Sequence, residues 1–138
     1  MFSKTFAYAL RAMTYVAQNS IEKKKVGLNE LAEFVQLSNH YLGKILQDLV
    51  RKGLLNSSKG PGGGFWLDKS KSEMTIYFLL CEVEGEQVLH SCIMGKLKCG
   101  TEFHCPMHSE FTKCKSILFE QMKKTTLKSW SENSFDFK

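Results

Sequence analysis

Five cysteines lie in the second half of this 138-residue chain, and three of them are spaced as metal ligands could be. Six residues separate Cys92 from Cys99, five separate Cys99 from Cys105, and His108 follows after two more. Three thiolates and one imidazole nitrogen can complete a tetrahedral site, and soft thiolate ligands select zinc, copper(I) or an iron–sulfur cluster. In a chain without a recognisable secretion signal, such clustering indicates metal or redox chemistry more often than structural disulfides.

The spacing favours an iron–sulfur cluster over a single ion. Structural zinc sites usually have ligand pairs two to four residues apart, whereas the wider spacing here suits a larger object. A zinc site or a thiol redox switch stays open as the alternative. Cys81 lies in the apolar stretch "YFLLCEV" and Cys114 in a helical apolar pattern, so we expect both to be packing residues. For His90 and His104, surface or hydrogen-bonding roles are expected.

A second unusual stretch, "KGPGGGFWL", holds four glycines within five residues. A phosphate-binding loop would need a lysine and a serine or threonine after its last glycine, at the start of a helix. Here the last glycine is followed by Phe65 and Trp66, which favour a strand. The glycines therefore predict the tight tip of a β-hairpin between "LLNSS" and "FWLD".

Three helical patterns precede this hairpin. The first covers residues 3–19, and the second has apolar positions at Leu28, Leu31, Ala32 and Val35. The third follows Ser38, a good N-cap, and ends near Gly53, where a left-handed residue suits a helix C-terminus. Two short helices joined by a tight turn are typical of a helix-turn-helix. With the hairpin directly after them, they predict a winged helix-turn-helix in residues 1–72.

The rest of the chain is predicted to bind the metal and to dimerise. A linking helix is expected from Thr75 to Glu84, and residues 73–107 then contain the cysteine-rich loop. Residues 108–138 are assigned to a dimerisation helix and tail, the helix being expected from about Pro106 to Ser129. Its apolar seam consists of Phe111, Cys114, Leu118 and Met122. Packing of this helix on its own domain is the alternative. The predicted fold is mostly α with a small β-hairpin wing.

Charge and composition agree with a DNA-binding protein. The net charge of +5 divides into +6 for residues 1–72 and −1 for residues 73–138. A basic half is the electrostatic feature expected of a nucleic-acid surface. The longest charge-free run has ten residues, too few to span a membrane, so we expect a cytoplasmic protein. No nucleophile–base pair or phosphate loop is recognisable, which predicts that the protein is not an enzyme.

Together, "YALRAM", "LSNHYLGKIL", "KGPGGGFWL" and the spaced cysteines resemble the IscR/NsrR family of winged-helix transcriptional regulators. The resemblance extends from Met1 to about Ser129. It implies a homodimer that binds a roughly palindromic DNA duplex and an iron–sulfur cluster, either 2Fe-2S or 4Fe-4S. By position, Cys92, Cys99 and Cys105 match the family's cysteine ligands, and His108 matches the fourth ligand of IscR-type members.

The resemblance also implies the DNA contacts. On the recognition helix and wing these are Ser38, Asn39, His40, Tyr41, Lys44, Lys59, Gly62 and Gly63. The sequence departs from the family pattern in having Gly43 where IscR-type members have a glutamate, and in having one extra residue between the first two cysteines. Some NsrR-type members take a carboxylate ligand from the first helix, but residues 1–11 contain none, which favours His108 as the fourth ligand.

Overall fold

The computed structural model describes residues 2–95 and 105–133. Its helices are α1 (Lys4–Ser20), α2 (Leu28–Val35), α3 (Asn39–Arg51), α4 (Lys69–Ser72), α5 (Ile76–Glu84), α6 (His108–Lys124) and α7 (Leu127–Glu132), with a 3₁₀ helix at Glu86–His90. Its strands are β1 (Asn56–Ser58) and β2 (Gly64–Trp66), which pair in antiparallel fashion. The prediction of a mostly helical chain with a small hairpin wing is confirmed.

Helix α1 forms the centre of the core. The Ser3 hydroxyl accepts a hydrogen bond from the Phe6 amide and caps the first turn. Apolar residues three and four positions apart then place one stripe of the helix inside the molecule, with Met13 and Val16 fully buried. Helices α2, α3, α5 and α7 all pack against α1. The helix thus connects the DNA-binding half of the chain to its C-terminal half.

The turn between α2 and α3 has the predicted caps. Gln36 ends α2 in the left-handed conformation, with φ of 60°, and its amide donates to backbone carbonyls of α2. The Ser38 hydroxyl accepts from the Tyr41 amide at 3.2 Å and so caps α3. At the other end, Gly53 has φ of +75°, directly after the helix C-cap. Leu42, Leu46 and Leu49 bury one face of α3 and leave the opposite face in solvent.

The wing is tied to the core through Val26. Its amide donates to the Phe65 carbonyl at 2.9 Å, and the Phe65 amide donates to the Val26 carbonyl at 2.8 Å. Gly64 has φ of +145°, and a Cβ there would lie 2.8 Å from the Val26 carbonyl oxygen. Only glycine allows this approach, so Gly64 is needed at the wing base, in addition to the glycines at the tip.

The C-terminal helix differs from its prediction. Instead of one helix from Pro106 to Ser129, α6 begins at His108 and ends at Lys124, and α7 begins at Leu127. Thr125 has extended geometry, and the Thr126 hydroxyl accepts from the Ser129 amide to cap α7. The break lets α7 fold back on α1, where Leu127 is fully buried. Hydrogen bonds from the Ile76 amide to the Thr125 carbonyl (2.9 Å) and from the Leu127 amide to the Met74 carbonyl (2.8 Å) fix it.

None of the helices in the described residues is both long enough and apolar enough to cross a membrane.

Candidate DNA interface and cysteine region

The first turn of α3 presents the side chains predicted to bind DNA. Ser38, Asn39, His40, Tyr41 and Lys44 are all exposed. The Asn39 side-chain amide donates to the Asn29 side chain of α2, and the Tyr41 ring packs edge-on against Tyr8 at 6.1 Å between ring centroids. These contacts orient polar groups of the turn while they stay accessible to a ligand.

One residue on this surface was not predicted. Gln47 is exposed and lies one turn beyond Lys44. Its spacing from Lys44 could have identified it, because residues three and four apart share a helix face. Farther along, Asp48 lies 3.0 Å from the Lys52 ammonium and 3.9 Å from Arg51, so part of the positive charge there is neutralised.

The wing presents one free cation and a rigid tip. Lys59 and Gly62 are exposed, and Gly63 is half-buried. A Cβ on Gly63 would lie 2.4 Å from the Ser58 carbonyl oxygen, so no side chain fits there. Within residues 2–95 and 105–133, neither Lys59 nor Lys44 forms an ion pair. Both ammonium groups are therefore available to phosphates.

Lys25 extends the positive surface to the base of the wing. Its ammonium lies 4.4 Å from the centroid of the Trp66 ring and donates to the Ser58 hydroxyl at 3.2 Å. The sequence analysis placed no functional residue here, because the run "EKKKVG" reads as a solvated connection. Only the pairing of Val26 with Phe65 brings this run beside the hairpin.

Two of the three predicted cysteine ligands are among the described residues. Cys92 follows the 3₁₀ helix and is buried, with 8% of its surface exposed, and its carbonyl accepts from the Gly95 amide at 2.8 Å. Cys105 is half-buried, and its carbonyl accepts from the His108 amide at 3.0 Å. His108 is thereby placed at the N-terminus of α6, one turn from Cys105.

Cys99 lies outside the described residues. Among residues 2–95 and 105–133, no three His, Cys, Asp or Glu side chains are close enough together to hold a metal ion. The donors that are described, two thiols and an imidazole, are of the chemical type that zinc or an iron–sulfur cluster requires. The set fits such a group in its chemistry, and its assignment stays a prediction.

A buried lysine connects the two parts of this region. Lys115 of α6 is 5% exposed, and its ammonium donates to the Ser91 carbonyl at 3.0 Å and to the Leu89 carbonyl at 3.4 Å. It also lies 4.9 Å from the centroid of the Phe111 ring. Lysine side chains often bond the last carbonyls of a helix, and here Lys115 does so for the 3₁₀ helix that precedes Cys92.

The other two cysteines differ in environment. Cys81 is half-buried on α5, and burial raises the pKa of its thiol, which keeps it protonated and unreactive. Cys114 is exposed on α6. Neither Cys81 nor Cys114 belongs to a group of metal-ligating side chains in the part of the chain that the structure describes.

Helix α6 has two apolar faces. The inner face consists of Lys115, Phe119 and Met122, and the Phe119 ring packs edge-on against Tyr77 of α5. Of the predicted dimerisation seam, Met122 lies on this inner face and Phe111 is half-buried. Cys114 and Leu118 lie on the outer face, where Ile117, which the seam omitted, is 72% exposed.

Comparison with known proteins was made for both sequence and structure. A family model described as "Rrf2: Iron-dependent Transcriptional regulator" matches residues 2–133. A putative HTH-type transcriptional regulator of Aquifex aeolicus is 33% identical over 131 residues, covering 93% of this chain and 89% of the relative. The HTH-type transcriptional regulator NsrR of Oceanobacillus iheyensis is 28% identical over 127 residues, covering 91% of this chain and 86% of that one.

Among solved structures, CymR of B. subtilis, titled the global cysteine regulator, superposes with a TM-score of 0.77. It is 21% identical, and the match covers 98% of each chain. At that identity the likeness concerns the fold alone. The helix-turn-helix, wing and C-terminal helices described above are therefore an arrangement already seen in a solved regulator.

Proposed function

The chain belongs to the Rrf2 family of transcriptional regulators, and we propose that it is a homodimeric, cytoplasmic repressor or activator whose DNA binding is controlled by an iron–sulfur cluster. The resemblance to IscR/NsrR regulators is confirmed by the family match and by the relatives so named, as is the prediction that the protein is a regulator and not an enzyme. The residues assigned to DNA, cluster and dimer contacts are part of the proposal.

The observation that carries the DNA-binding proposal is the exposed, basic surface that the first turn of α3 shares with the wing. Asn39, His40, Tyr41 and Lys44 would read the major groove, because side chains at the start of a recognition helix reach base edges. Lys59 and the Gly62–Gly63 backbone would meet phosphates or the minor groove. Two such surfaces in a homodimer would fit a roughly palindromic duplex.

The salt dependence of DNA binding tests this proposal. Each phosphate neutralised contributes a slope of about −0.9 to log K against log[salt], so binding should weaken steeply as salt is raised. Lys59→Ala should reduce the magnitude of the slope by about 1. Lys113→Ala, on an exposed lysine of α6, is the matched control and should leave the slope unchanged. A slope that does not depend on Lys59 would remove the wing from the interface.

The cluster proposal assigns Cys92, Cys99, Cys105 and His108 as ligands. It is supported by the family description as iron-dependent, by the buried position of Cys92 and by the placement of His108 one turn from Cys105. A cluster bound there would supply a redox- and nitric-oxide-sensitive group, since such clusters react with these agents. The chain's own contribution is to connect the cysteine loop to α6, so that a change in the loop alters the position of that helix.

Anaerobic purification with iron and sulfide analysis decides between a cluster and its alternatives. Alanine at any of the three ligand cysteines should abolish or strongly reduce iron content, and His108→Ala should have a milder effect. Cys81→Ala and Cys114→Ala should retain full iron. A colourless wild-type protein would refute the cluster and favour a zinc or thiol switch, an alternative that the global cysteine regulator CymR makes concrete, since the fold also serves there.

The dimer proposal assigns a second copy of this chain to the outer face of α6. Cys114, Ile117 and Leu118 form an apolar stripe there that is not covered by the described part of its own chain. Packing two such stripes against each other would remove them from water and would place two recognition helices at a fixed separation. A movement of the cysteine loop against α6 would then change that separation, and with it the affinity for DNA.

A further inference from the structure

Lys115 is a buried cation on the inner face of a helix whose neighbouring positions are apolar. At 5% exposure its charge has lost most of its hydration, and the carbonyls of Leu89 and Ser91 replace only part of it. Within residues 2–95 and 105–133 it forms no ion pair. Buried charges are normally paired with an opposite charge, because an unpaired one is costly.

The position of Lys115 indicates which anion it pairs with. One of its acceptors is the carbonyl of Ser91, the residue directly before Cys92. Lys115 itself lies on the helix that begins at His108. The ammonium therefore joins the segment that carries the first predicted ligand to the helix that carries the last. Thiolate-rich sites are anionic, because each cysteine ligand brings one negative charge.

We propose that Lys115 is a positioning residue and counter-ion of the cysteine site: it holds the Cys92 segment against α6 and compensates the negative charge of the thiolates that bind the metal. This role rests on the proposed metal site and adds to it a residue from outside the ligand set. Groups that orient or compensate metal ligands change metal affinity by about 10- to 100-fold when removed.

Anaerobic titration of the full-length, metal-free protein with Co²⁺ tests the role, because thiolate-bound Co²⁺ has intense charge-transfer absorption and does not require cluster assembly. Lys115→Met keeps the apolar length and removes the charge. Lys115→Gln keeps a donor for the two carbonyls and removes the charge, and Lys115→Arg keeps the charge. Lys113→Met, on the exposed face of the same helix, is the matched control.

We expect the dissociation constant for Co²⁺ to rise at least about tenfold in Lys115→Met and Lys115→Gln and to change little in Lys115→Arg and Lys113→Met. Circular dichroism at the titration temperature establishes which variants are folded, and if Lys115→Met does not fold, Lys115→Gln decides. A folded, neutral variant that binds Co²⁺ with wild-type affinity would overturn the proposal.

Parallel reconstitution with iron and sulfide separates this proposal from the cluster itself. If the wild type binds Co²⁺ in a Lys115-dependent way but assembles no cluster, the cluster is refuted and the role of Lys115 stands. If the wild type binds neither metal, both proposals are refuted. If it assembles a cluster whose stability and Co²⁺ affinity ignore the charge at position 115, only the role of Lys115 is refuted.

Discussion

Replacing Gly64 by alanine should disconnect the wing from the core. The residue has φ of +145°, and an added Cβ would lie 2.8 Å from the carbonyl oxygen and 3.2 Å from the nitrogen of Val26. These are backbone atoms, so the clash cannot be relieved by a side-chain rotation. The strand must move away, and the two hydrogen bonds between Val26 and Phe65, 2.9 and 2.8 Å long, are lost or lengthened.

The expected cost follows from these contacts. Two backbone hydrogen bonds at a net value of about 1 kcal/mol each give about 2 kcal/mol. The unfavourable φ for a residue with a Cβ adds about 1–2 kcal/mol. The free energy of unfolding should therefore fall by about 3–4 kcal/mol. Gly62→Ala is the matched control, because Gly62 also has positive φ (+75°) but open space around its Cβ position, so only the strain of about 1 kcal/mol applies.

Urea unfolding monitored by circular dichroism measures both variants, and duplex binding by fluorescence anisotropy reports on the wing. Gly64→Ala should lose stability and DNA affinity together, because the displaced hairpin also moves Lys59. The reasoning would be refuted if Gly64→Ala were no less stable than Gly62→Ala, since the clash with Val26 would then have no energetic consequence.

Three further predictions concern other parts of the molecule. Gly43→Ala should raise the free energy of unfolding by about 1 kcal/mol in a denaturant titration, because the position is inside α3 and the nearest atom to a new Cβ, a Leu28 side-chain carbon, lies at 3.7 Å; destabilisation would show that the site is crowded. Leu118→Glu should shift the protein from dimer to monomer in sedimentation, because it puts a charge in the apolar outer face of α6, whereas Ser116→Glu should not; a wild type that is monomeric at micromolar concentration contradicts the dimer. The Tyr15 hydroxyl donates to the Glu30 carboxylate at 2.7 Å and lowers its pKa, so this contribution to stability is present above the ordinary pKa of glutamate and is lost as the pH falls below about 4; Glu30→Gln should flatten the acid limb of the unfolding midpoint against pH, and an unchanged limb would exclude the contact as its source.

Local chemistry explains why the helix-turn-helix and the wing could be predicted from sequence. The capping hydroxyl of Ser38, the left-handed Gly53 and the hairpin glycines each satisfy a requirement set by residues within a few positions of them. The 3.6-residue apolar period of α3 decides which face is buried, so the exposure of the opposite face could be read directly. The resemblance to a regulator family rested on these same local motifs.

Contacts between distant segments account for what the sequence analysis missed. The break at Thr125 depends on backbone hydrogen bonds to Met74 and Ile76, about fifty residues away along the chain, and periodicity within the helix contains no trace of them. The burial of Lys115 likewise depends on where the 3₁₀ helix passes α6, since a lysine on a helix is expected to be solvated unless a carbonyl from elsewhere meets it.

The sequence by itself therefore determined the local elements and the identity of the candidate ligands, because caps, turns and apolar periods act over one or two turns of chain. The tertiary structure alone decided which side of α6 faces its own core, which lysines flank the wing and which buried cation lies beside Cys92. Those features arise where segments separated by more than about twenty residues meet, and the free energy of such contacts depends on their packing and not on the order of residues within either segment.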